Sequence, residues 1–237
     1  MMERNLIFVG DIHGELRTLV WTATQKYGLT DSDLVVLGDF GVGFDKKIYA
    51  DYLRCKNRLI RHNIDIYTIR GNHDDPDYFN ENSEIYKKNK EIFTNLHFLE
   101  DHKVYNIGGL DIYAIGGGGS TDIIHRTPNK SWWPGEYIVP KPEKELPGKV
   151  DVIISHEAPL TFEPVVTRFE ETPEEQYNKI IEGRSYLDTV LKEVTCKYWY
   201  YGHYHKHYFG SYGDTIYRGL GIMEFYQYPK VIYSYEQ

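Results

Sequence analysis

Five short stretches gather side chains able to bind metals or move protons. They are Gly10-Asp11-Ile12-His13-Gly14, Gly38-Asp39, Arg70-Gly71-Asn72-His73-Asp74, Ser155-His156-Glu157 and Gly202-His203-Tyr204-His205. Each comes directly after an apolar or β-branched run that reads as a strand. Buried strands do not end in such groups for packing reasons, because every polar group taken out of water needs a partner. Oxygen and imidazole donors without thiolate favour manganese, iron, zinc or related divalent ions over a zinc–cysteine structural site. The donors outnumber the four ligands of a tetrahedral zinc, whereas two ions about 3.5–4 Å apart and bridged by one carboxylate would use them well. Two divalent ions, set against two ligating carboxylates and a bridging hydroxide, leave the site net positive. That balance favours a phosphate ester over a carboxylic or neutral substrate.

The elements that must position these residues can be read from periodicity. The runs Asn5–Val9, Asp33–Leu37 and Asp65–Ile69 read as strands, with helices from Glu15 to about Tyr27 (Gly28 as its stop) and from about Lys46 to Arg61 between them. Leu16, Leu19, Val20 and Ala23 on the first helix, and Ile48, Tyr52, Leu59 and Ile60 on the second, are the expected core faces. Strand, polar site and helix in repetition predict parallel strands joined by crossovers. Short strands come next at Leu96–Leu99, Val104–Ile107 and Leu110–Ile115, the last two joined by a tight Gly108-Gly109 turn. Residues 120–149 are rich in proline and glycine and lack periodicity, which predicts a long loop of functional use. Val150–Ile154 and Lys197–Tyr201 read as further buried strands. Thr172-Pro173-Glu174-Glu175 opens a helix running to about Val194 with a capping-box pattern. The remainder, with turns at Gly210, Gly213-Asp214 and Tyr228-Pro229, reads as an antiparallel meander. In an open sheet, parallel strands present their carboxyl ends on one side, so residues nearly two hundred positions apart can converge there.

Composition excludes several classes. The chain has 237 residues, 41% hydrophobic and 26% charged, which is ordinary for a globular protein; it reads as a single domain over 1–237 with no repeat or linker. A formal net charge of −8 argues against a broad nucleic-acid-binding surface. Cys55 and Cys196 have neither paired nor metal-type spacing. The apolar runs are too short for a membrane span, and Leu6–Val9 is too short for a signal-peptide core, so the chain is expected to be soluble and cytoplasmic.

In order and spacing the five motifs resemble those of the calcineurin-like metallophosphoesterases, over residues 6–205. The resemblance implies a four-layer αββα sandwich of two mixed β-sheets flanked by helices, with a dinuclear site at the strand ends. It implies that Asp11, His13 and His205 hold one divalent ion, that Asn72, His156 and His203 hold the other, and that Asp39 bridges them. Manganese is the foremost expectation, and iron, zinc, nickel or magnesium are compatible. A hydroxide on the ions would attack phosphorus in line. By resemblance His73, without a metal, would protonate the leaving oxygen or stabilise its charge, and Asp74 would orient it and keep it protonated near neutral pH.

The pattern departs from the family at points that bear on substrate. The Gly-Asp-Ile-His-Gly and Arg-Gly-Asn-His stretches look like the Ser/Thr phosphoprotein phosphatase branch, which expects Asp-Arg-Gly after its second motif. Here Gly38-Asp39 runs into Phe40-Gly41-Val42-Gly43-Phe44, so that phosphate-binding arginine is missing. The glycine run 116–119, Ser120-Thr121-Asp122, Arg126 and Ser131-Trp132-Trp133 with Glu136 look similar to a segment of small bacterial and phage members. Arg126 could replace the missing contact, because a guanidinium fork matches phosphate geometry. Trp132 and Trp133 could stack on a base or aromatic leaving group or only anchor the loop. Arg70 could contact phosphate or form a structural ion pair. Glu157 reads as a neighbouring surface group, and Lys87-Lys88-Asn89-Lys90 as a solvated face. The leading expectation is a phosphoesterase acting on monoesters or small diesters of a phosphoprotein, nucleotide or small molecule. A nuclease or cyclic-nucleotide phosphodiesterase uses the same metals. A catalytically inactive metal-binding module is disfavoured by the intact His73-Asp74.

Overall fold

A computed structural model describes residues 4–164 and 172–228. In chain order it contains β1 (Asn5–Val9), α1 (Leu16–Trp21), β2 (Ser32–Val36), α2 (Ile48–His62), β3 (Ile64–Thr68), α3 (Glu84–Ile92), β4 (Leu96–Phe98), β5 (Lys103–Ile107) and β6 (Leu110–Ile115). Then come β7 (Val152–Ser155), α4 (Glu174–Glu193), β8 (Tyr198–Tyr201), β9 (Tyr208–Tyr212), β10 (Thr215–Gly219) and β11 (Phe225–Gln227). The strands form two mixed sheets, ordered β11-β1-β2-β3-β4 and β5-β6-β7-β8-β10-β9. Strands β1 to β4 run parallel to one another, as do β6, β7 and β8.

The period-2 alternation of a strand builds the layers. Ile7 and Val9 of β1, with Leu34 and Val36 of β2, pack with Leu16, Leu19, Tyr52 and Leu59 of the first two helices. Leu6, Phe8 and Val35 point the other way, onto Ile112, Ala114, Val152, Ile154 and Tyr200 of the second sheet. Trp199 and Tyr201 face outward again, onto Leu187, Val190 and Leu191 of α4. Strands buried on both faces read as continuous apolar runs for this reason. The sheets meet where the Phe8 and Tyr200 rings stack at 4.1 Å. This is the expected sandwich of two sheets between helix layers. Among the described residues no helix is long and apolar enough to cross a membrane.

Several local expectations need correction. The first helix gives way after Trp21 to a π-turn over Thr22–Lys26, in which the Tyr27 amide reaches the Thr22 carbonyl and the Thr24 hydroxyl bonds back to Val20 O. Ile60, expected in the core, is 54% exposed; α2 turns that position to solvent. Helix α3 is absent from the sequence-based expectation. It buries no residue fully, so its apolar signal is sparse, and it starts where the Ser83 hydroxyl accepts the Tyr86 amide. Lys87 and Lys90 lie on this helix. At α4 the Thr172 hydroxyl reaches the Thr121 carbonyl, and Pro173 occupies the cap position. The C-terminal segment is a meander only in part. β9 and β10 pair antiparallel, but β10 lies parallel to β8, and β11 crosses to the other sheet to pair antiparallel with β1. Pro229 of the last expected turn lies outside the described residues.

Candidate active site

The loops after β1, β2, β3, β7 and β8 bring the sequence motifs together at one edge of the sandwich. His13, Asp39, His203 and His205 all have left-handed backbone, with φ of 45°, 46°, 70° and 57°. Such conformations are uncommon outside glycine and concentrate at functional sites. The motif glycines permit the crowding. A side chain at Gly71 would sit 2.2 Å from the Asp39 carboxylate, and one at Gly202 would sit 2.3 Å from that of Asp11.

Ligand atoms converge in two groups, Asp11/His13/Asp39/His205 and Asp39/His156/His203. In the first, His205 Nε2 lies 3.2 Å from Asp11 Oδ2 and 2.9 Å from His13 Nε2, with Asp39 Oδ2 3.9 Å from His13 Nε2. In the second, His156 Nε2 lies 3.2 Å from Asp39 Oδ1, 3.0 Å from Asn72 Oδ1 and 3.2 Å from His203 Nδ1. Asp39 therefore offers one oxygen to each group.

The donor chemistry fits a cation. His156 Nδ1 faces the Leu37 carbonyl at 2.7 Å, and Asn72 Nδ2 is turned to Ser120 Oγ, so acceptor atoms face one another inside a buried cluster. Only a proton or a metal ion relieves that arrangement. Burial alone would lower the pKa of His156, but the carboxylates of Asp39 and Asp11 outweigh it and push it up to about 10. Burial would likewise raise Asp39, but the neighbouring His156, His73 and His13 hold it well below the usual carboxylate range.

The surrounding residues are assigned differently by the structure than by sequence. The Asp74 carboxylate accepts the backbone amides of Phe40, Gly41, Val42 and Gly71, and these contacts leave His73 aside. It clamps the loops that carry Asp39 and Asn72, and does not orient His73 as expected. Burial and the Asp39 charge push Asp74 up to about 7. His73 is not held protonated: burial lowers it to about 4, with Arg126 adding to the effect. Its backbone amide donates to Asp39 Oδ1, and its Nε2 lies 2.8 Å from Arg126 Nη2. Phe44, to which the sequence assigned no role, sits 4.9 Å from the His73 ring.

Arg70 does not reach the site. Its Nε and Nη2 engage Asp101, and its remaining donors engage the carbonyls of Gly135, Glu136 and Tyr137, so all five guanidinium hydrogens are taken. It is the structural ion pair, tying β3 to the long loop. Trp133 is buried against Phe44, and neither Trp132 nor Trp133 lines the cleft, so the tryptophans anchor the loop. Arg126 does line it, held by Asp122 at 2.7 Å. Glu136 is buried, accepts the Ser120 amide and hydroxyl at 2.7 Å each, and is pushed up by burial to about 7. Ser120 in turn receives Asn72, which ties the loop to a candidate ligand.

Sequence reasoning missed Glu157, which is 2% exposed and lies with Oε2 3.5 Å from His203 Nε2. Its only signal was adjacency to His156. The cleft over the cluster measures about 570 Å³; Thr121, Asp122 and Arg126 form one side, and Pro164, Ile180 and Tyr204 contribute apolar wall.

A buried Asp/His cluster at the carboxyl ends of parallel strands, between two packed sheets, defines a metal-dependent hydrolase class. The calcineurin-like phosphoesterase family profile matches residues 4–207, and the chain belongs to that family, whose members bind divalent metals and hydrolyse phosphoester bonds. No curated protein matches the sequence. Among solved structures, TT1561 of Thermus thermophilus is similar at 12% identity, with a TM-score of 0.53 over 94% of this chain and 91% of that one. The phosphopantetheinyl hydrolase of Mycobacterium tuberculosis is similar at 13% identity, with a TM-score of 0.49 over 93% and 90% of the two chains. At 12% identity the likeness to TT1561 is one of fold.

Proposed function

We propose that the chain is a dinuclear phosphoesterase of small phosphate esters. Asp11, His13 and His205 would hold one divalent ion and Asn72, His156 and His203 the other, with Asp39 shared; manganese suits the oxygen and imidazole donors. The observation that carries the reading is the division of the two Asp39 oxygens between two convergent ligand groups. When bound, such ions supply an acidified water and neutralise charge on the phosphoryl oxygens.

The chain's own residues would do the rest. Arg126 binds the phosphate, leaving His73 Nε2 as it does so. A phosphate dianion beside the ring then favours its protonated form, and His73 hands that proton to the leaving oxygen. Pro164, Ile180 and Tyr204 receive an apolar leaving group. Among the described residues that line the cleft, Arg126 is the only Lys or Arg, and Asp122 and Glu157 stand there too. That balance supports a small ester over a nucleic-acid strand.

Metal content, measured beside hydrolysis of an aryl phosphate and an aryl phosphodiester, tests the reading. Two ions per chain with faster monoester turnover is expected. Two ions with no hydrolysis of either would make the chain a binding module, and strong preference for the diester would favour a phosphodiesterase.

A further inference from the structure

Glu157 is buried among polar partners that are themselves fixed. Its Oε1 accepts the Ala158 amide at 3.0 Å and the Tyr204 hydroxyl, and it lies 3.8 Å from Arg184 Nε on α4. Arg184 is 1% exposed and donates to the carbonyls of Ala158, Pro159 and Pro164, so it cannot swing away to solvent. The other carboxylate oxygen faces His203 Nε2 at 3.5 Å, while His203 Nδ1 points at His156 Nε2. A carboxylate only accepts, so a ring facing it favours the tautomer protonated on Nε2, with a lone pair on Nδ1 aimed into the second ligand group. Two nitrogens of one ring are thus given opposite duties.

We propose that Glu157 is a positioning residue that fixes the tautomer and orientation of His203 and thereby sets the affinity of the ion shared by Asn72, His156 and His203. The proposal rests on the dinuclear reading above. Partners of metal-bound histidines typically contribute 10–100-fold in metal affinity. The effect centres on one ion: the Glu157 carboxylate meets the Ala158 amide, Tyr204, Arg184 and the His203 ring, whereas the contact of His203 with Asp11 of the other group is made by its backbone amide, which a change at Glu157 leaves in place. Tyr204, which holds Glu157, also forms cleft wall, so the same carboxylate joins the leaving-group side of the cleft to the metal side.

The test is calorimetric titration of the metal-stripped chain with Mn2+. The native chain is expected to take up two ions. In Glu157→Gln, one binding event should weaken about 10–100-fold and the other stay as it was, and the nitrogen chemical shifts of the His203 ring should lose their single-tautomer pattern. Tyr204→Phe removes one of the two hydrogen bonds to Oε1 without removing the carboxylate and should weaken the same ion by a smaller factor; it keeps the test decisive should Glu157→Gln not fold. Two ions bound as tightly in the variants as in the native chain overturns the proposal and leaves the dinuclear reading standing. Native uptake of fewer than two ions overturns the dinuclear reading, and the proposal falls with it.

Discussion

Arg126 Nη2 lies 2.8 Å from His73 Nε2, and because a guanidinium only donates, the ring accepts at that contact. The nitrogen expected to release a proton to the leaving group is thus occupied in the resting structure. Removing either partner separates their roles. His73→Ala should retain metal and lose about 10²–10⁴ in turnover on esters with poor leaving groups. Arg126→Ala should chiefly raise KM for phosphate monoesters, with a smaller loss on a diester of lower charge. Steady-state kinetics on an alkyl and an aryl phosphate checks both. Full activity of His73→Ala on the alkyl ester would sink its role.

Asp39 divides its oxygens between the two ligand groups. Asp39→Asn should therefore lower metal occupancy at both sites together with activity, whereas His205→Ala should deplete one. Elemental analysis after gel filtration reads the difference. Loss of a single ion in Asp39→Asn would contradict the sharing.

Arg70 offers a contrast with Arg126. Its donors are all spent on Asp101 and loop carbonyls, so Arg70→Ala should cost about 3 kcal/mol or more of stability through unpaired buried groups. The fraction that remains folded should show nearly native KM. Urea unfolding alongside kinetics checks this, and a selective rise in KM with native stability would restore a phosphate-binding role.

Glu136 gives a pH dependence with a definite sign. Burial raises its carboxyl from 4.5 to about 7 in the folded chain. Between these values the folded state holds the proton more tightly than the unfolded state, so this group's contribution to stability falls as pH rises and levels off above about 7. Glu136→Gln removes that loss while keeping an acceptor for the Ser120 amide. The variant should gain on the native chain by about 2–3 kcal/mol between pH 5 and 8, measured by denaturant unfolding. A pH-independent difference would refute it.

The site was legible where its logic was positional. Asp11, Asp39, Asn72, His156 and His203 each come just after a strand, and a parallel sheet gathers the loops at its carboxyl ends. The groups that escaped have partners from elsewhere in the chain. Asp74 looked like a partner of its neighbour His73, yet its carboxylate is taken by amides over thirty residues away. Glu157 looked superficial because Arg184 and Tyr204, which bury it, lie on α4 and after β8. Arg70 and the tryptophans took their meaning from the path of a loop without periodicity. Helix α3 and the exposure of Ile60 depend on which face a helix turns inward, and a sparse apolar pattern does not fix that.

Strand β11 pairs with β1, and beside it the Gly10 amide donates to Glu224 O and the Met223 amide to Asp11 O. A chain emerging from the ribosome displays all five motifs once His205 is out, yet the backbone carrying Asp11 gains these anchors only some twenty residues later. The backbone around Asp11 is therefore braced by a strand that supplies none of the candidate ligands, so the site leans on a stretch of chain lying beyond its last motif.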